Sequence, residues 1–240
     1  MSDHSAKLSA PSIGVEPMRS RLAHRASVRA ALRRRFDSAG LIEVDTPVLS
    51  LEVLPEAHID PIPVVVDGVD APPQWLQASP EALMKRLLSN GAGAIYQFAR
   101  SFRAGERGAL HDVEFVLLEW YQPGATLDST APLLAAICRD VLATDGLERM
   151  SCQNAFRLHA GIDILDATRD DWRDAGRRLG VPAPQGIDDA PGLWFELILS
   201  EVVGPRLGRD GKPTSLELWP AAHSAFARLD PDEPRLARRF

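Results

Sequence analysis

The chain has 240 residues, 45% of them apolar and 25% charged, with a formal net charge of −6. That size supports one large domain or a domain with an insertion, and the acidic balance argues against a protein whose main business is coating nucleic acid. Its two cysteines, Cys138 and Cys152, are too few for a disulfide framework or a zinc motif and fit a reducing, cytosolic compartment; no run of about 18 apolar residues or charged-then-apolar leader marks a membrane span or signal peptide.

Residues 1–17, with Ser, Pro and Gly and little periodicity, read as a loose tail ahead of a domain over 18–240. From Met18 to Ala39 the positions Leu22, Ala26, Val28, Leu32, Phe36 and Ala39 recur at helical spacing, with Gly40 as a C-terminal stop. The other face carries Arg19, Arg21, Arg25, Arg29, Arg33, Arg34 and Arg35, which suits a solvated face or an acidic partner. "LIEVDTPVLS" predicts a short strand stopped by Pro47, because proline cannot donate to a ladder. "IPVVV" and "QWLQA" predict a hairpin turning at Asp67-Gly68. Ser79-Pro80-Glu81 supplies an N-cap, an N1 proline and a first-turn acid, and so predicts a helix over Leu83, Met84, Leu87 and Leu88 that ends near Gly91.

"AIYQFAR" and "EFVLLEWY" predict two antiparallel strands joined by a charged, Gly-containing loop. Helical patterns follow at 129–144, 169–179 and 191–203, a helix-rich insertion at about 128–210, and "TSLELW" predicts a return to the sheet as one more strand. The fold class is therefore α+β. "GPRLGRDGKP", Gly204 to Pro213, is Gly-rich and basic but lacks the order of a Walker loop, and reads as a surface loop.

The charged loop, "SFRAGERGALHDVEFVLLEWY", is the most informative stretch. With both strands central in a sheet, Arg103 leaves one and Phe115 enters the other beside a common cavity. An arginine there can fork onto a phosphate, and a Phe offers a face to a purine. Glu119 lies four residues beyond Phe115 and so shares its face. A carboxylate held inside a sheet needs a cation, and the ammonium group of a ligand would serve. The same residues also suit a solvated hairpin tip with a structural ion pair and core aromatics.

The residue order goes further than the spacing. "SFRAGERGALHDVEFVLLEWY" resembles motif 2 of the class II aminoacyl-tRNA synthetases in their lysyl-tRNA synthetase form, "RRRFDSAGLIEVDTPVLS" resembles motif 1 with Pro47 as its proline, and "LQASPEALMKRLLSNG" resembles the segment lining the amino-acid pocket. The resemblance runs from about Arg19 to Phe240 and implies a mainly antiparallel sheet flanked by helices, dimerising through motif 1. By position, it implies that Arg103 clamps the α-phosphate of ATP, that Phe115 stacks on adenine, and that Gly105, Glu106, His111 and Asp112 line the nucleotide site. Ser79, Pro80, Glu81, Glu119 and Tyr121 would hold the amine-bearing end of a lysine-like substrate, with Mg²⁺ sharing the phosphate charge and no protein metal site.

Within this family the chain is similar to the short lysyl-tRNA synthetase paralogues that ligate (R)-β-lysine to elongation factor P, since little precedes motif 1 and no anticodon-binding barrel has room there. That implies elongation factor P and lysine or β-lysine as partners rather than tRNA. A lysyl-tRNA synthetase core that charges tRNA, and a non-catalytic paralogue that binds ATP and an amino acid, share the same motifs. Three departures stand out. Gly105 and Glu106 replace the usual acid two places after the motif 2 Arg, and Asp112-Val113 replaces a common Asn-Pro. Motif 3 has no counterpart, which implies a C-terminally incomplete catalytic domain: a fragment, an early-stop product or a pseudoenzyme.

Overall fold

A computed structural model describes residues 17–53, 59–65, 74–182, 184, 191–209 and 211–240. The expected N-terminal tail and the expected turn at Asp67-Gly68 lie outside the described residues. Helix α1 spans Met18–Ser38 and buries Leu32 and Phe36, one turn apart on the same face. It stops where Gly40 enters the left-handed region at φ 78°, which lets the Leu41 N–H reach back to the Phe36 carbonyl at 3.0 Å.

The strand expected ahead of Pro47 is β1 (Ile42–Glu43), and beyond the proline a second short strand that was not expected, β2 (Leu49–Ser50), joins a different sheet. Pro47 has no N–H to continue a ladder, so the chain changes partner there. β1 runs parallel to β5 (Ile95–Phe102), which pairs antiparallel with β6 (Glu114–Tyr121) over all eight positions. Among the described residues the order is β1-β5-β6. β5 thus has a ladder partner on each side, and the described partner of β6 is β5.

Strand alternation gives this sheet two different faces. Tyr96, Phe98, Leu118 and Trp120 point to one, where Leu32 and Phe36 of α1 and Leu133 and Ile137 of α3 (Leu127–Leu142) pack on them. The rings of Phe36 and Tyr96 stack with centroids 4.6 Å apart. α3 begins at a capping box in which Thr126 and Ser129 satisfy each other's backbone N–H groups. Gln97, Ala99, Ser101, Phe115, Leu117, Glu119 and Tyr121 belong to the opposite face.

Strands β3 (Ile62–Val64) and β4 (Gln74–Leu76) pair antiparallel with Ile62 opposite Leu76, and β4 also pairs with β2. This small sheet is tied to the end of β5: the Phe102 N–H donates to the Gln77 carbonyl at 2.9 Å, and the Gln77 side-chain amide donates to the Arg100 carbonyl at 2.8 Å. The tie carries the following turn, Ala78 to Pro80, and helix α2 (Glu81–Ser89) to the mouth of the β5–β6 hairpin.

Beyond α3 the chain builds a second core. "TSLELW" does not return to the β1-β5-β6 sheet. It forms β8 (Thr214–Glu217), parallel to β7 (Glu148–Ser151), followed by β9 (Trp219–Pro220), which pairs with β10 (Leu236–Ala237). Helix α4 (Cys152–Ala160) was not expected. The Ser151 hydroxyl caps its first turn and Gly161 ends it in the left-handed region, start and stop signals of the same kind as those at α2 that the sequence reading passed over. α5 (Arg169–Arg178) follows, and the helix expected over 191–203 divides into α6 (Pro191–Ile198) and a π turn, Leu199–Val203. Phe156, Trp172, Trp194, Phe195 and Ile198 are buried together between these helices.

Gly176 of α5 belongs here because an added Cβ would lie 2.0 Å from the Trp194 ring. Gly176→Ala is therefore expected to destabilise the fold by about 1–3 kcal/mol through overpacking, read as a lowered urea midpoint. An unchanged midpoint would mean that α5 and α6 do not pack this closely.

Candidate functional site

The β5–β6 hairpin and the Ala78–Glu81 turn form the site. Backbone bonds hold the hairpin mouth: the Arg103 N–H donates to the Val113 carbonyl at 3.0 Å and the Ala104 N–H to the Asp60 carbonyl at 2.9 Å. Gly105 turns the chain outward at φ 76°, in the left-handed region that glycine enters without strain. Gly108 and His111 close the loop tip by exchanging backbone bonds, and the Asp112 carboxylate caps the Val113 N–H at 2.7 Å.

Within this loop lies a cavity of about 590 Å³ lined by Arg103, Gly105, Glu106, His111, Asp112 and Phe115. The Arg103 guanidinium carbon stands 5.1 Å from the centroid of the Phe115 ring, a cation–π distance. Its other contacts are long, 3.4 Å to the Ala78 carbonyl and 3.5 Å to Glu106 Oε1. A guanidinium has five N–H donors, so most of Arg103's hydrogen-bonding capacity faces the cavity and remains open to an anion.

Further along the same sheet face, Glu119 is gripped at both oxygens. The Ser79 hydroxyl donates to Oε1 at 2.6 Å and the Tyr121 hydroxyl donates to Oε2 at 2.9 Å. Ser79 in turn accepts the Glu81 N–H at 3.1 Å, so the expected helix cap is spent on fixing the turn to Glu119. Burial first, then the negative charge of Glu119 and its hydrogen bond, raise the Tyr121 phenol far above its ordinary pKa, with Glu81 adding to the effect. Tyr121 is thus a permanent neutral donor, and the two carboxylates lie close enough to it to make this end of the face electronegative. Each ionised carboxylate oxygen can accept a further bond, which suits an ammonium group.

The sequence-nominated residues fall into two neighbouring groups. Arg103, Gly105, Glu106, His111, Asp112 and Phe115 share the loop cavity, whereas Glu119 and Tyr121 line a second cavity of about 530 Å³ that also touches Arg238 and Phe240. The Ala78–Ser79 pair joins the two groups, since consecutive residues contact Arg103 and Glu119. Pro80 is buried at the start of α2, and Glu81 pairs with Lys85 one turn on. Sequence reasoning did not select Arg107 and Leu110, which also line the loop cavity, although the loop's charge density was a usable signal for Arg107. Arg238 had no local signal: it lies 119 positions after Glu119, and the return of β10 brings it to the lining of the same cavity.

Comparison with known proteins agrees with this arrangement of motifs. Residues 11–240 match the family model described as tRNA synthetases class II (D, K and N). Relatives named elongation factor P–(R)-beta-lysine ligase include those of Sodalis glossinidius, 34% identical over 222 residues, and Yersinia enterocolitica, 34% identical over 225 residues. In each case the alignment covers 91% of this chain and 68% of the relative. A match along nearly the whole chain, with relatives 34% identical, means that the protein belongs to the class II tRNA synthetase family of the D, K and N type.

Proposed function

We propose that the protein is an ATP-dependent ligase that activates lysine or (R)-β-lysine and transfers it to a lysine of elongation factor P. The names and identity of the relatives support the substrate and acceptor. The observation that carries the chemistry is the single sheet face on which a largely unsatisfied Arg103 and an aromatic ring stand beside a doubly anchored Glu119.

In this reading ATP occupies the loop cavity, with adenine against Phe115, the α-phosphate on Arg103, and His111, Asp112, Gly105 and Glu106 around the nucleotide. Glu119, Tyr121, Ser79, Pro80 and Glu81 hold the amine-bearing end of the substrate. A carboxylate oxygen of the amino acid attacks the α-phosphorus, the bond to pyrophosphate breaks, and an aminoacyl-adenylate forms. The acceptor's ε-amine then attacks the activated carbonyl, loses a proton, and AMP leaves as the amide forms. No protein nucleophile is required, because the barrier is lowered by alignment and by neutralising phosphate charge.

Among the described residues no group of three or more His, Cys, Asp or Glu side chains could cage a metal. Mg²⁺ would come with the triphosphate, held chiefly by phosphate and water oxygens, and would add Lewis-acid charge neutralisation. A homodimer through the motif 1 region is part of the proposal. The first half of α1 is exposed, with Met18 and Leu22 set among Arg19, Arg21 and Arg25, and a second copy would cover this surface. No described helix is long and apolar enough to cross a membrane, and a cytoplasmic setting follows from the proposed acceptor.

The test is ATP–pyrophosphate exchange driven by (R)-β-lysine or lysine, followed by transfer to elongation factor P or to tRNA. Exchange with transfer to the protein acceptor is expected. Charging of tRNA without modification of elongation factor P would replace this reading with a lysyl-tRNA synthetase core. Binding of ATP and amino acid without exchange would make the protein a non-catalytic paralogue.

A further inference from the structure

The Gly204–Pro213 stretch, expected as a plain surface loop, closes one wall of a cavity that the ligase chemistry does not use. This cavity of about 510 Å³ lies between β7, the last turn of α4 and the turn that precedes β8. Its size falls within the range of small-ligand pockets. Left-handed glycines make the turn possible: Gly208 at φ 66° and Gly211 at φ 73° fold it tightly, leaving only 3.5 Å between a Cβ added at Gly208 and the Lys212 carbonyl. Thr214 staples the turn to β7, because its hydroxyl accepts the Gly208 N–H and donates to Glu148 at 2.9 Å. The wall is thereby ordered by its own hydrogen bonds.

Four basic side chains, His159, Arg206, Arg209 and Lys212, line this cavity. Arg206 and Arg209 each donate to a backbone carbonyl, of Val202 and Pro205, which orients the guanidinium while leaving other N–H groups free. No carboxylate among the described residues pairs with any of the four, whereas Arg33, Arg35, Arg86, Arg100, Arg149 and Arg157 each hold one. The single acid on the lining, Glu148, accepts the Thr214 hydroxyl, so one carboxylate stands among Arg206, Arg209 and Lys212; Asp210 lies outside the described residues. Arg206, Arg209 and Lys212 are exposed to solvent and form a local positive patch in a chain whose net charge is −6, a field that favours an anion at this cavity. Met150 and Leu158 form an apolar wall, and Leu158 is 68% exposed.

We propose that this cavity binds a small phosphomonoester, with the phosphate on Arg206, Arg209 and Lys212 and its apolar body against Met150 and Leu158. Three cationic donors suit the three oxygens and near-double charge of a phosphate better than the two oxygens of a carboxylate.

The test is an amide NMR titration of the whole chain with phenyl phosphate, with benzoate as comparator. Phenyl phosphate should shift Leu207, Gly208 and Gly211 saturably, benzoate should bind more weakly, and the paired exposed substitutions Arg209→Gln and Lys212→Gln should weaken binding roughly tenfold. A thermal melt of the variant checks that the fold is retained. The proposal is overturned by shifts confined to Gly105 and Gly108 of the ATP loop, by non-saturating shifts, by equal affinity in the folded variant, or by benzoate binding as tightly as phenyl phosphate.

Discussion

Arg103→Ala is expected to slow amino-acid-dependent ATP–pyrophosphate exchange roughly a hundred- to a thousandfold, the usual loss when one preorganised charge-stabilising donor is removed. The guanidinium is placed before any ligand arrives, because its backbone is fixed to Val113 and its central carbon stands 5.1 Å from the centroid of the Phe115 ring. Among the described residues its side-chain hydrogen bonds are long ones to Ala78 and Glu106, so little is lost from the fold when it is truncated. Negative charge on the phosphate grows along the reaction, and an interaction that strengthens with it lowers the barrier more than it tightens binding. The Michaelis constant for the amino acid should therefore change little. Arg103→Lys should lie between wild type and alanine, since an ammonium keeps the charge but not the planar fork. Exchange by Arg103→Ala within about threefold of wild type would remove Arg103 from the phosphate, because that is less than one ordinary charge-assisted hydrogen bond.

Glu119→Gln is expected to raise the Michaelis constant for lysine or β-lysine about a hundredfold while leaving ATP affinity unchanged, the scale of loss when one partner of a buried charge pair is neutralised. Ser79 and Tyr121 both donate to this carboxylate, so neither can neutralise it, and it keeps its negative charge for a ligand. Glutamine would also point an NH₂ group at one of these hydroxyls, disturbing the orientation as well as the charge. Tyr121→Phe keeps the charge and removes one anchoring bond, so a loss of about fivefold is expected, the net value of a single neutral donor. An analogue lacking the distal amine separates the roles: wild type should discriminate against it strongly and Glu119→Gln hardly at all. Equal discrimination by both proteins would mean that Glu119 serves the sheet rather than the substrate.

Much of this site was legible in the chain because its parts are local. Arg103, Phe115 and Glu119 lie in one hairpin, and the period-two geometry of strands assigns Phe115 and Glu119 to a common face. Ser79-Pro80-Glu81 announces a helix start through backbone preference alone, and α2 begins there. Helix α1 was equally readable, since Leu32 and Phe36 repeat at one turn and Gly40 stops it. The likeness of the loop to a synthetase motif is also a property of residue order.

Tertiary structure decided whatever depends on which distant segments meet. No local pattern indicates that the residues beyond Pro47 join a second sheet or that β8 joins β7 rather than β5, because ladder partners are chosen by packing over long sequence separations. The same holds for the Ser79–Glu119 bond across forty positions, which ties a helix-start serine to the Glu119 carboxylate, and for the cationic cavity around Arg209. The sequence by itself determined the chemistry-bearing hairpin and the family, since both are written in short-range order. Only the folded chain decided which side chains have partners and which remain unpaired, because hydrogen-bond satisfaction depends on neighbours that the fold, and not the chain order, supplies.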